Sequence, residues 1–254
     1  RYDNGSGVFN VINDNGNASG EFLTFVQNFT GGTVKDNWLG DFYSIGALYG
    51  QEYGNNVFSG EFVISNTSSA LFNSNTFSND VSSNTFSGDV YNNTFSGEVN
   101  NNTFSGIVSN NNFSGNVFNN TFSGDVNNNT FSGNVFNNTF NGYVNTNRFN
   151  GGDVYNNTID NVSNNTFNSY VYNNTFSGYV NNNTFSGYVR SNTFSGYVYT
   201  NTFIGNVYRN TFSGYVNSNT FSGGDVYNNT IDNVFNNIFI GYVSNNTFSG
   251  DVNY

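Results

Sequence analysis

The 254 residues contain no proline, cysteine, methionine or histidine, and only 8% are charged. Without cysteine or histidine there is no disulfide framework, no zinc or haem ligation of the usual kind, and no catalysis by imidazole or thiolate. The basic residues are Arg1, Lys35, Arg148, Arg190 and Arg209, set against 16 acidic ones, for a net charge of −11. So few cations cannot neutralise a phosphate backbone, which makes nucleic acid and anionic membrane poor partners. No stretch approaches the ~18 apolar residues of a membrane span, and the amino terminus has neither a basic nor an apolar leader segment. The absence of an initiator methionine points to a processed or partial chain. What the chain does have is aromatic rings: 29 Phe and 18 Tyr beside 29 Gly. Disordered chains are poor in aromatics, so an apolar share of 35% still describes a chain that packs.

The dominant feature is an internal repeat. Phenylalanines recur every nine residues from Phe77, Phe86 and Phe95 to Phe149, and the series resumes from Phe167 to Phe221 and at Phe239 and Phe248. The unit reads Asn-Asn-Thr-Phe-Ser-Gly-x-Val-x. In Asn92 to Asn100, Phe95, Gly97 and Val99 alternate with Thr94, Ser96, Glu98 and Asn100, the period-two pattern of a strand buried on one face. Phe and Val point inward, Gly at the inward centre leaves room for bulky neighbours, and Asn-Asn supplies the corner. No segment shows helical spacing.

Two irregularities give the length of one turn. Phe149 to Ile159 is ten residues and Ile159 to Phe167 is eight; Phe221, Ile231 and Phe239 repeat that spacing 72 residues later. Each insertion is cancelled within two units, so the conserved length is eighteen: two nine-residue units, two strands and two corners per coil. The extra residue is the second glycine of Gly151-Gly152 and of Gly223-Gly224, read as a β-bulge. The last position of the unit alternates between Phe118, Phe136, Tyr155, Tyr172 and Asn127, Asn145, Ser163, Asn181, so the two faces of a coil differ chemically. The alternation breaks near Arg190 and Tyr199.

Residues 1–54 are read as irregular amino-terminal coils capping the solenoid, because Ala18-Ser19-Gly20-Glu21-Phe22, Trp38-Leu39-Gly40-Asp41-Phe42 and Phe58-Ser59-Gly60-Glu61-Phe62 recur at twenty-residue intervals. Residues 55–254 form the regular part, which stops at Asp251-Val252-Asn253-Tyr254 with no distinct cap. The predicted fold is all-β: one elongated, two-sheeted parallel β-solenoid. About eleven regular coils at ~4.8 Å each give a rod on the order of 50 Å.

Eighteen residues per coil with asparagine-rich corners resemble the broad class of parallel β-helix and β-roll proteins of microbial surfaces. Calcium-binding nonapeptide rolls share the nine-residue unit, but their GGxGxDxUx motif is absent: Asn92-Asn93 and its equivalents occupy the corner. Their calcium sites do not carry over. Pectin-lyase-like β-helices usually have longer coils and catalytic acidic clusters with basic residues, which this sequence lacks.

Four features could carry function. Asn-x-Thr, the acceptor of N-glycosylation, occurs at Asn92, Asn101, Asn119, Asn128, Asn137, Asn156, Asn164, Asn173, Asn182, Asn228 and Asn245. The same residues also read as corner chemistry with a ladder of stacked Asn side chains, since the second Asn persists in Ser83-Asn84-Thr85 and Arg209-Asn210-Thr211. Thr and Ser flank each Phe, giving hydroxyl ranks about 6.7 Å apart along a strand and about 4.8 Å between coils, which resemble ice-binding solenoids. Neighbouring tyrosines and the presence of hydroxyls on both sheets weigh against that. The residue before Val is Asp, Glu or Asn early and mostly Tyr later; Tyr179, Tyr197 and Tyr215 fall on one face and Tyr170 and Tyr188 on the other, as interface candidates. Asp80 and Glu98 lie one coil apart, readable as a calcium pair or as solvated charges.

No nucleophile–base pair or phosphate loop is present, so the sequence predicts no enzyme and implies no cofactor. The expected role is structural: an extracellular or cell-surface filament subunit that polymerises end to end with itself and carries glycans at its corners. Ice binding and carbohydrate adhesion are the alternatives.

Overall fold

The computed structural model describes residues 52–64 and 68–253 together with six strand segments between Thr24 and Tyr49. The chain winds as a parallel β-solenoid, and the described residues contain no helix. Away from the two irregular coils, strands of the regular part pair with those eighteen residues on, as in Thr85↔Thr103, Val90↔Val108, Thr94↔Asn112 and Val99↔Val117. Coils before Phe77 vary in length: Thr24 pairs with Phe42 eighteen residues on, Phe42 with Phe62 twenty on, and Thr33 with Glu52 nineteen on. The Ala18–Phe22 recurrence and Tyr254 lie outside the described residues.

The expectation of two sheets with one long strand per unit is corrected. Each coil has four short sides, exemplified by Thr85–Phe86, Val90–Tyr91, Thr94–Phe95 and Val99–Asn100. The third sides form a sheet of 12 strands and the fourth sides one of 13, while the first and second sides merge into a third large sheet. The merger occurs at Thr230–Phe235, a strand that pairs with both stacks. The reason is the Ser-Gly pair: the strand breaks after Phe, and Gly sits at a bend rather than at a strand centre. Successive bends stack backbone on backbone, and a Cβ on Gly106 would run into the carbonyl of Gly88.

The other two corners are asparagine corners. The first Asn of each pair takes a left-handed backbone, with φ of 58° at Asn92 and 57° at Asn119, a conformation Asn tolerates better than most residues. The second Asn turns inward and is buried, with 1% exposure at Asn93, Asn102 and Asn120.

Phe and Val fill the interior. Phe rings stack along each column, Phe104 on Phe122 at 4.8 Å and Phe122 on Phe140 at 4.7 Å, tilted by 3°. Across the interior the two columns meet edge to face, as with Phe203 and Phe212 at 90°. Both are preferred ring arrangements, each adding about 0.5–1.5 kcal/mol to plain burial. The columns run through the regular coils, so the core is one continuous stack.

The inserted glycine also needs correcting. Gly151 and Gly152 lie in the bend between the strands Arg148–Phe149 and Val154–Tyr155, so the extra residue widens a corner instead of bulging a strand. The register confirms the compensation: Val135 pairs with Val154 and Val154 with Val171, whereas Phe149 still pairs with Phe167.

Candidate functional site

With a repeated coil, candidate function lies in columns of outward side chains. Among the described residues no group of three or more Asp or Glu converges to hold a metal. Asp80 and Glu98 do not form a paired site: Asp80 Oδ1 accepts the Glu98 N–H at 2.8 Å. That bond recurs along the column before Val. Asp89 accepts from Ile107 N–H at 2.9 Å, Asn116 from Asn134 at 3.0 Å, Asp125 from Tyr143 at 3.0 Å and Asn161 from Tyr179 at 3.0 Å. Short acids and amides there close the backbone of the next coil. The signal was present in the sequence as a preference for short side-chain oxygens over Glu.

The asparagines divide by position. Asn92, Asn101, Asn119, Asn128, Asn137, Asn156, Asn164, Asn173, Asn182, Asn228 and Asn245 are all exposed and left-handed. Their successors build the ladder. Asn120 Oδ1 accepts the backbone N–H and the Nδ2–H of Asn102, at 2.8 and 3.1 Å. Asn120 Nδ2 donates to Val99 O at 2.8 Å, Phe118 O at 2.9 Å and Asn138 Oδ1 at 3.1 Å. A buried amide is tolerated because its hydrogen-bonding capacity is used.

The predicted tyrosines come together as the spacing requires. Tyr179 stacks on Tyr197 and Tyr197 on Tyr215, each at 5.4 Å, while Tyr170 and Tyr188 approach to 4.9 Å with a 51° tilt. All five are exposed.

Beside Tyr170 and Tyr188 runs a second outward ladder. Phe118, Phe136, Tyr155 and Tyr172 stack at 4.8–4.9 Å with tilts of 1–3°. Arg190 occupies the next rung, 5.8 Å from the Tyr208 ring centre, and Tyr208 stacks on Tyr227 at 5.0 Å. The break in alternation at Arg190 is thus a cation–π rung in the same column. Burial, then the negative charge of Asp153, pushes the Tyr172 hydroxyl above its ordinary pKa, with nearby Tyr155 acting the same way and Arg190 opposing.

The hydroxyl ranks differ between sides. On the first side Thr85, Thr103, Thr121, Thr139, Thr158, Thr175, Thr193, Thr211, Thr230 and Thr247 follow one another without a break. On the third side Asn112, Arg148 and Ile238 interrupt the rank.

One shallow trough on the second side is lined by Tyr143, Asn161, Ser163, Tyr179, Asn181 and Tyr199. Asn181 Oδ1 is enclosed there without a hydrogen-bond donor. The sequence matches no protein-family model and no curated protein.

Proposed function

We propose that the protein is a structural subunit of an extracellular filament or surface layer, built by end-to-end stacking of its solenoid and decorated with glycans at the exposed corner asparagines. The observation that carries this reading is the sameness of the coils: Phe77 stacks on Phe95 at 4.7 Å and Phe203 on Phe221 at 4.8 Å, and the buried amides repeat one bond, as from Asn93 N–H to Asn111 Oδ1 and from Asn210 N–H to Asn229 Oδ1. A coil of one copy therefore offers a coil of another the same stacking and backbone pairing that successive coils offer each other. Low charge and outward tyrosines favour lateral contact between rods, and glycans at the corners would keep them soluble. The role is non-enzymatic.

Electron microscopy and sedimentation of the secreted protein test the first part: filaments are expected. Mass spectrometry of protein from a glycosylating host tests the second, with occupancy expected at Asn92, Asn119 or Asn173. A monomer at high concentration with no sugar on any of these asparagines refutes both.

Ice binding gains one specific observation, the unbroken threonine rank on the first side. Loss of ice shaping on changing Thr121 and Thr139 to Tyr would support it; absence of ice shaping by the wild-type protein removes it.

A further inference from the structure

The column before Val on the second side contains a missing aromatic rung. Because Val126, Val144, Val162 and Val180 are paired in register, Asp125, Tyr143, Asn161 and Tyr179 precede them in successive coils. From Tyr179 onward this column is a tyrosine stack, with Tyr197 on the far face of Tyr179 and Tyr215 beyond it. At Asn161 the stack is empty. Tyr143 is 56% exposed and makes no ring contact among the described residues, and Tyr179 is 52% exposed with no ring stacked on its Asn161 side.

The gap falls at the shortened corner, where Asn161 stands in the column in place of a tyrosine. Where a regular unit has three residues between Phe and Val, this coil has only Asp160 and Asn161 between Ile159 and Val162. The Asn161 side chain is held down by its own corner: Oδ1 accepts the Tyr179 N–H at 3.0 Å and Nδ2 donates to Asp160 Oδ2 at 2.9 Å. It cannot rise between the rings without breaking both bonds. Two rungs of about 4.8 Å separate Tyr143 from Tyr179, which leaves space for one ring at stacking distance from each.

The edge of the slot is polar. Ser163 Oγ donates to Asn145 Oδ1 at 3.1 Å, Asn145 Oδ1 also accepts from Asn164 Nδ2 at 2.9 Å, and Asn181 Oδ1 has no donor. An aromatic side chain inserted here would leave that oxygen unsatisfied, at a cost in binding. A pyranose differs: its C–H faces suit two aromatic rings while its rim of hydroxyls supplies donors to the wall. Asp125 at the adjoining rung, and a net charge of −11, disfavour acidic sugars.

We propose that the slot between Tyr143 and Tyr179 is a binding site for one ring of a neutral pyranose oligosaccharide, independent of end-to-end assembly. The test is calorimetric titration of rods shown by light scattering to be unassembled, with cellohexaose, xylohexaose, mannohexaose and chitohexaose as probes. At least one should bind saturably at millimolar concentration or better. Tyr143→Ala and Tyr179→Ala, both changes to exposed rings, should each weaken binding at least tenfold. Asn161→Tyr, which fills the slot, should abolish it; if that variant does not fold, the two alanine variants decide. Tyr91→Ala, on the same side but four coils from Asn161, should leave binding within twofold. Absence of saturable binding by all four probes overturns the proposal. So does binding that persists in the slot variants, or that Tyr91→Ala weakens as much as they do. None of these results depends on whether filaments form.

Discussion

Replacing Asn120 with alanine removes one rung of the buried amide ladder and leaves the exposed corner residue Asn119 untouched. The substitution deletes the acceptor of the Asn102 backbone N–H, 2.8 Å away, and of Asn102 Nδ2, together with three donations from Nδ2. Several partners retain other bonds: Phe118 O still accepts from Asn101 N–H, Asn138 Oδ1 from Asn120 N–H, and Asn102 Nδ2 still donates to Val81 O. The Asn102 N–H is different, since no other acceptor stands in its place. A buried donor stranded this way costs about 1–3 kcal/mol, and the remaining lost bonds bring the total to roughly 3 kcal/mol. Asn119→Ala, which forces alanine into a φ of 57°, should cost about 1 kcal/mol, and Asn119→Gly almost nothing. Because repeat proteins open locally, the decisive assay is amide hydrogen exchange alongside urea denaturation. Protection of Asn102 should collapse in Asn120→Ala and survive in Asn119→Ala. Unchanged Asn102 protection, or equal destabilisation by both alanines, refutes the ladder as the source of corner stability.

The isosteric Asn120→Asp sharpens the test through pH. A carboxylate oxygen in place of Nδ2 faces Val99 O, Phe118 O and Asn138 Oδ1, so only the protonated acid can donate, and its folded pKa rises above the ordinary carboxyl value. The folded state then holds the proton more tightly than the unfolded state. The variant should be least stable at neutral pH and regain stability as pH falls through the raised value toward the ordinary one.

Phe122→Ala, which empties a fully buried position between two stacked rings, should cost about 3–5 kcal/mol in urea denaturation. Phe118→Ala on the outer ladder should cost about 1 kcal/mol. Thr200, β-branched at a φ of 59°, is strained where Asn is at ease; Thr200→Asn should raise stability by about 1 kcal/mol, read as a higher urea midpoint. Burial raises the Tyr53 hydroxyl well above its ordinary pKa. Its neutral form favours folding, so that contribution is intact below the unfolded value near 10 and is lost as pH rises through the folded one. Hydrogen exchange around Tyr53 and Phe72 should therefore accelerate above pH ~10, and less so in Tyr53→Phe.

The coil length was legible because the sequence contains its own control. The insertion at Gly151-Gly152 and the shortening at Ile159–Val162 cancel, which is meaningful only if something eighteen residues away must stay in register. Phe149↔Phe167 is that contact. The number of sides was not legible. In Phe-Ser-Gly-x-Val the inward residues alternate as they would in a straight strand, and nothing in that alternation distinguishes a flat run from one folded at its glycine. The distinguishing fact is steric: glycine is needed where the backbones of successive bends touch. A single sequence shows its recurrence at Gly88, Gly106 and Gly124 but not the contact that demands it.

The same twelve residues, Gly-Gly-Asp-Val-Tyr-Asn-Asn-Thr-Ile-Asp-Asn-Val, stand at 151–162 and at 223–234, so insertion and deletion occur together in both places. At the shortened corner, Asp160 and Asn161 between them hold the bend of the next coil. Asp160 O accepts from Gly178 N–H at 3.3 Å, Asp160 Oδ1 from Ser177 Oγ at 3.3 Å, and Asn161 Oδ1 from Tyr179 N–H. The second copy repeats the scheme, with Ser249 Oγ donating to Asp232 Oδ1 at 3.3 Å and Asp251 N–H to Asn233 Oδ1 at 3.3 Å. Between the two corners the strands keep their faces: Thr139 pairs with Thr158 and Phe140 with Ile159 nineteen residues on, and Phe149 returns to Phe167 at eighteen. The wide corner absorbs its extra residue locally, and the shortened one restores the coil length for the strands that follow. At 151–162 the shortened corner ends at Asn161, in the slot between Tyr143 and Tyr179.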